Sequence, residues 1–250
     1  MEETIALVSD IHGNRWALEA VLADIRERKI TTILNLGDSL YGPLDPMGTY
    51  TLIRENGFIN LSGNEDRLLA VYGRSRENHK TMDYVLSHIT PEVLSWLEAL
   101  PFDYEHNKEV YCCHGTPAFD TEYLLEDVRS GQPVLKENTA IHDQLQRVTI
   151  PVICCGHSHL SHVIQTEKYL IINPGSVGCP AYDDDIPVYH RMETGTPRAR
   201  YAVIKMGQSG VTTAHISVEY DAEKAARTAE KNGHDNWGFW LRTGRAIFQR

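Results

Sequence analysis

The sequence predicts an α/β fold built on two sheets. Three observations predict it. Short, almost wholly apolar runs have the pattern of strands buried on both faces, and a run of helical period separates the first two of them. Further strand-like runs then dominate the second half. Alternation of strand and helix, followed by mostly strand, is the pattern of one α/β domain with two sheets. The 250 residues, 42% hydrophobic and 23% charged, supply enough apolar material for a sizeable core. No repeat, low-complexity stretch or linker divides the chain. A single domain over residues 1–250 is therefore expected, with a C-terminal helical tail from about residue 221.

The elements follow in order. Thr4-Ile5-Ala6-Leu7-Val8-Ser9 predicts a first buried strand. Beyond Gly13-Asn14, Leu18, Val21, Leu22 and Ile25 fall at i, i+3, i+4 and i+7, one apolar stripe of a helix. Thr32-Ile33-Leu34-Asn35-Leu36 predicts a second strand ending at Gly37-Asp38, and the three form a βαβ unit, right-handed by the usual chirality. From about Glu65 to Leu100 the pattern is helical, with breaks expected near Gly73 and before Pro91. Strands are predicted at Val110–Cys113, Val152–Cys155, His162–Gln165, Leu170–Asn173, Tyr201–Lys205 and Val211–Val218. After Asp221, the alanines 222, 225, 226 and 229 mark one helix face. The aromatic tail Trp237-Gly238-Phe239-Trp240 is expected to pack on the body or against a second subunit, which leaves a homo-oligomer open.

Charge and composition narrow the function. With 24 basic against 34 acidic residues the net charge is −10, the wrong sign for routine binding of nucleic acid or an anionic membrane. A small phosphorylated partner remains compatible, because bound divalent cations supply positive charge that side chains lack. No run approaches the ~18 apolar residues of a membrane span. Met1-Glu2-Glu3 lacks the basic start of a signal peptide, so a cytoplasmic location is expected. The 5 cysteines are Cys112, Cys113, Cys154, Cys155 and Cys179. Two adjacent pairs fall in strand-like runs, where neighbours face opposite ways, which suits buried thiols better than disulfides or a zinc knuckle.

Five segments place metal-type ligands just after an apolar strand or in the loop that follows one: Asp10-Ile11-His12, Gly37-Asp38, Gly63-Asn64, His114-Gly115 and Gly156-His157-Ser158-His159. Loops at the carboxyl ends of strands are where ligand-binding groups gather in α/β folds. Singly, each segment has an ordinary structural reading. Their order and completeness make the sequence resemble the calcineurin-like metallophosphoesterases, whose signature runs Asp-x-His, Gly-Asp, Gly-Asn-His-(Asp/Glu), His and Gly-His-x-His. Asn173-Pro174-Gly175-Ser176-Val177-Gly178 and Ala199-Arg200-Tyr201-Ala202-Val203 resemble the bacterial small phosphoesterases of that family, so the resemblance spans about residues 4 to 206.

The resemblance implies a four-layer α/β/β/α sandwich of two mixed sheets flanked by helices. It also implies two divalent transition-metal ions. Asp10, His12 and His159 would hold one, Asn64, His114 and His157 the other, and Asp38 would bridge both. Mixed imidazole and oxygen donors suit manganese, placed first here, or iron, zinc, cobalt or nickel better than magnesium. Hydroxide activated between the ions would then attack a small phosphorylated substrate. A phosphodiesterase or dinucleoside polyphosphate hydrolase is the alternative within the same chemistry, and a non-catalytic scaffold of the fold is the remote one.

One position departs from the signature: Gly63-Asn64-Glu65-Asp66 carries Glu65 where many members have the histidine that protonates the leaving group. Glu65 is the candidate replacement, with Asp66 orienting it; the plain reading is an acid favoured by the helix dipole. Asn14 reads as a helix N-cap and Arg15 as a candidate phosphate contact. Asp183-Asp184-Asp185 reads as a solvated loop or, with Tyr182, Tyr189 and His190, as a rim that selects substrates. Trp16, Tyr41, Tyr182 and Tyr189 are the rings available to stack a nucleobase. His79, His88 and His106 are given no role.

Overall fold

Ile5, Ala6, Leu7 and Val8 are all fully buried, so the strand Glu3–Val8 (β1) is covered on both faces, as its unbroken apolar run requires. The computed structural model describes residues 2–75, 79–208 and 210–246. After β1 come Arg15–Glu27 (α1), Thr32–Asn35 (β2), Pro46–Glu55 (α2) and Ile59–Asn60 (β3). Three helices follow, Asn64–Ser75 (α3), Lys80–His88 (α4) and Pro91–Glu98 (α5), then Asp103–His106 (β4) and Val110–Cys113 (β5). Glu126–Asp127 (β6), Val134–Leu135 (β7) and Asn138–Gln144 (α6) lead to Val152–Cys154 (β8), Ser161–Gln165 (β9) and Leu170–Pro174 (β10). The chain ends through Ala181–Asp184 (β11), His190–Glu193 (β12), Ala199–Gly207 (β13), Gly210–Val218 (β14), Ala222–Lys231 (α7) and Asp235–Thr243 (α8).

Two five-stranded mixed sheets carry the fold, in the orders β14-β13-β1-β2-β3 and β4-β5-β8-β10-β9. In the first, β1, β2 and β3 run parallel and β13 joins antiparallel to β1. In the second, β5, β8 and β10 are the parallel centre and β4 and β9 the antiparallel edges.

Strand periodicity assigns each side chain to a layer. Ile5 and Leu7 of β1 face Val110, Cys112, Cys154 and Ile172 of the other sheet. Ala6 and Val8 point the opposite way, onto Leu18, Val21, Leu22 and Ile25 of α1, beside Ile53 of α2 and Leu69 of α3. Beyond the second sheet, Tyr111, Cys113, Ile153 and Ile171 pack on Ile141 of α6 and Leu145. The layers are helix, sheet, sheet and helix, the four-layer sandwich of the sequence expectation. All five cysteines are free and buried, with Cys112 and Cys154 between the sheets and Cys113 and Cys155 on the outer face. No helix among the described residues is long and apolar enough to cross a membrane.

Some expectations need correction. The helix expected to break near Gly73 ends at Ser75, a shift of boundary only, and residues 76–78 lie outside those described. Asp183 and Asp184 are not in a free loop: they lie in β11, paired with Arg191 and His190 of β12. Helix α2 was missed, although Asp45 accepts from the Gly48 N–H and Pro46 opens the first turn, a regular start signal. The C-terminal tail packs on the body: Ala225, Ala226 and Ala229 of α7 meet Trp237, Trp240 and Leu241 of α8 in one buried cluster with Leu44 and Ala181.

Candidate metal centre

The parallel strands of both sheets end at one place, and their following loops supply the polar residues. Asp10 and His12 follow β1, Asp38 follows β2, and Asn64 opens α3 after β3; His114 follows β5, and His157 and His159 follow β8. Asp10, His12, Asp38, His157 and His159 all have φ between 51° and 67°, a left-handed conformation that residues with a Cβ rarely adopt. Strain of this kind collects where side chains must converge on a site. The loops also need glycine for contact: a Cβ on Gly63 would stand 2.1 Å from Asp38 Oδ1, and one on Gly178 would stand 1.7 Å from the Ile11 carbonyl oxygen.

Two clusters result. Asp10, His12 and His159 bring their ligand atoms within 4.8 Å of one another, and so do Asp38, His114 and His157. Asn64 joins the second group through its Oδ1, 3.0 Å from His114 Nε2, and Asp38 Oδ2 stands 3.3 Å from the same nitrogen.

Backbone carbonyls set the tautomers. His12 Nδ1 lies 2.7 Å from the Tyr41 carbonyl, His114 Nδ1 2.9 Å from that of Leu36, and His159 Nδ1 2.7 Å from that of Cys179. A carbonyl only accepts, so each Nδ1 carries a proton, and Nε2 presents a lone pair wherever the ring is neutral. His12 Nε2 and His159 Nε2 face one another at 3.0 Å. Neither oxygen of the fully buried Asp10 accepts a hydrogen bond, and its charged neighbour is His159, with Nε2 3.4 Å from Oδ1. Converging imidazole nitrogens and a buried carboxylate are the donor set that a cation between them would satisfy. The residues fit a pair of divalent transition ions.

Electrostatics divide the rings: against burial, Asp38 holds the His114 imidazole and Asp10 that of His159 up at about 10. Burial pushes the His12 and His157 imidazoles down to about 4, so both rest neutral, with lone pairs free. Burial opposes the charge on Asp38 also, yet the neighbouring His114 holds its carboxyl well below the usual carboxylate range. Glu65 is displaced in the other direction, to about 8, by burial and then by Asp38 and Asp66. Its carboxyl lines the cleft with Oε2 unpartnered, while its backbone N–H donates to Asp38 Oδ1 at 2.9 Å. Asp66 faces the backbone instead, accepting from the Ser39 and Gly63 N–H groups at 3.0 and 3.1 Å, which ties the loop after β2 to the start of α3.

The cleft above the centre encloses about 280 Å³. Tyr41 and Tyr182 line it; Trp16 and Tyr189 do not. Asn14 caps α1, accepting from the Ala17 N–H at 3.2 Å, and donates to the Gly178 carbonyl at 2.9 Å. Arg15 lies outside the cleft, paired with Glu19 at 2.8 Å and Asp45 at 3.4 Å. Three lining residues went unassigned in the sequence: His79, Trp237 and Trp240. The spacing of the two tryptophans on one helix face was the available signal. Also missed was Glu126, which accepts from Ser158 Oγ at 2.8 Å beneath the His157–His159 loop.

A family model for the calcineurin-like phosphoesterase superfamily domain matches residues 4–197. An uncharacterized protein of Methanocaldococcus jannaschii is 28% identical over 268 residues, covering 95% of this chain and 96% of that one. Among solved structures, a metallophosphoesterase from Sphaerobacter thermophilus superposes with a TM-score of 0.73 at 23% identity, over 97% of this chain and 99% of that one. A hypothetical protein from Pyrococcus horikoshii gives 0.76 at 17%, over 98% and 99%. Both structural likenesses speak to the fold. With the family model spanning most of its length, the chain belongs to the calcineurin-like phosphoesterase superfamily.

Proposed function

We propose that this chain is a metal-dependent phosphoesterase that hydrolyses a small phosphorylated substrate in the cytoplasm. Asp10, His12 and His159 hold one ion, Asn64, His114 and His157 the other, and Asp38 lies between them. The observation that carries this reading is the buried Asp10 carboxylate, which accepts no hydrogen bond, beside two imidazole Nε2 atoms 3.0 Å apart. Two bound ions supply Lewis acidity toward phosphate oxygens and lower the pKa of water. Manganese heads the candidates, since imidazole in both clusters disfavours magnesium.

The protein's part is positional. Backbone carbonyls fix three imidazole rings, and the Glu65 N–H holds one oxygen of Asp38, which leaves its other oxygen to face His114. Glu65 delivers a proton from its carboxyl to the leaving-group oxygen; its place on the cleft wall and at the histidine position of the family signature supports this. The complete ligand set argues against a scaffold. No lysine or arginine lines the cleft among the described residues, which disfavours dinucleoside polyphosphates and favours a singly charged diester as the second reading.

The test is a manganese-supplemented assay of an aryl phosphate monoester against the matching diester, repeated with iron, cobalt, nickel and zinc. Hydrolysis of at least one ester is expected, with Asp38→Asn lower by more than about 100-fold. Activity that survives in Asp38→Asn rejects the bridging role. Glu65→Gln should slow esters of poor leaving groups more than aryl esters, and equal slowing removes Glu65 as the acid.

A further inference from the structure

We propose that the cleft selects phosphoesters whose alcohol portion carries a positive charge, an ammonium or quaternary ammonium alkanol. The inference rests on the phosphoesterase reading and names its substrate class. Above the metal candidates the wall holds four large rings, Tyr41, Tyr182, Trp237 and Trp240, with the acidic residues Asp183 and Asp184 at the rim. Indole and phenol faces attract cations through their quadrupoles, and carboxylates add charge complementarity. An anion here meets no lysine or arginine among the described residues, whereas an ammonium group meets both kinds of partner.

Ring positions join this wall to the centre. Trp237 lies 5.9 Å from His12, 6.4 Å from Tyr41 and 5.5 Å from Trp240, centroid to centroid. On the other side Tyr182 meets His159 edge-on at 4.6 Å. A phosphate over the candidate ions therefore places its ester substituent directly among the rings.

Two further observations fit a small ligand. At about 280 Å³ the cleft falls below the ~300–1,000 Å³ typical of drug-sized ligands. The Trp240 indole N–H, in a residue only 6% exposed, has no partner within the protein. A buried donor of this kind is satisfied by an acceptor brought in by the ligand, such as a phosphate oxygen.

Asp184 is the residue to test. It is exposed, and its Oδ1 accepts only a local N–H, that of Ile186 at 3.0 Å. Asp183 is the weaker candidate, since it is partly buried and already accepts from the Tyr189 hydroxyl at 3.3 Å.

The experiment compares phosphocholine with 3,3-dimethylbutyl phosphate, its uncharged isostere, and the 4-nitrophenyl diesters of the same two alcohols. Metal-loaded wild type should favour the cationic member by at least tenfold in kcat/KM, and Asp184→Asn should lower that ratio threefold or more. A second arm titrates the same monoesters against intrinsic tryptophan emission, with quenching expected at lower concentration for phosphocholine. A wild-type ratio near one, a variant that slows both esters equally, preference for adenosine monophosphate over phosphocholine, or equal quenching by both ligands overturns the proposal. If every ester including 4-nitrophenyl phosphate is inert, the phosphoesterase reading fails, and the quenching arm still decides the cation preference.

Discussion

Asp10, His12, Asp38, His157 and His159 hold left-handed backbone at a cost of about 1–3 kcal/mol each, and neighbouring loops keep them there. The Asp10 N–H donates to Gly37, the His12 N–H to Asp38, the Gly178 N–H to Asp10 and the Gly156 N–H to His114, all at 2.7–3.0 Å. Beneath the His157–His159 loop, Glu126 is a different kind of residue. It is 3% exposed, it accepts from Ser158 Oγ, and burial pushes its carboxyl from 4.5 up to about 7. A carboxyl raised on folding binds its proton more tightly in the native state. Its contribution is therefore fully present below pH 4.5 and is lost as pH climbs to about 7, by up to about 3 kcal/mol. Glu126→Gln keeps an acceptor for Ser158 and removes the titration. The fall in Tm between pH 5 and pH 8 should be smaller in the variant than in wild type, at matched metal concentration. Parallel Tm–pH curves would show that Glu126 does not carry this dependence.

At the scale of elements, β1 is the hub: it pairs with β2 and β13, and its two faces feed two separate cores. Leu7→Ala should cost about 2–5 kcal/mol in urea denaturation, because both sheets close over the vacated volume. Val71→Ala, at a residue 55% exposed, should stay within about 0.5 kcal/mol; similar losses in the two variants would contradict this account. The same contrast explains what was readable in the sequence. Strands β1, β2, β5, β8 and β10 are apolar because they are covered, and burial writes itself into composition. Edge strand β4, Asp103-Tyr104-Glu105-His106, is polar and exists because β5 pairs with it, information that its own residues do not hold. The hairpin of β11 and β12 escaped for the same reason. Ligand motifs were legible because each is local, a few residues after a strand. Trp237, His79 and Tyr41 were not assigned together, since the packing of Trp237 and Tyr41 on His12, with His79 beside Tyr41, depends on docking α8 against loops more than a hundred residues away in sequence.

On the scale of the molecule, the metal candidates come from both sheets: Asp10, His12, Asp38 and Asn64 from the first, His114, His157 and His159 from the second. Each cluster contains residues of both, so an ion in either one joins the two halves of the sandwich. Ligand bound only to the native state stabilises by RT ln(1 + [L]/Kd), about 2.7 kcal/mol at one hundred times Kd. For a chain of this length that corresponds to roughly 5–10 °C in Tm. Manganese should raise Tm by an amount of this order over protein treated with excess chelator. Asp10→Asn separates this effect from general salt stabilisation, because salt acts alike on both proteins and an ion at the centre does not. Without metal, the variant loses the carboxylate that faces His159 Nε2 at 3.4 Å, a partner that against burial holds the Asp10 carboxyl below its usual range, so it should be less stable than wild type. With metal, it lacks an anionic ligand, and the increment should shrink by half or more. Melting curves of both proteins, each with manganese and with chelator, read all four values; an equal increment in the two would mean that the stabilising ion binds elsewhere.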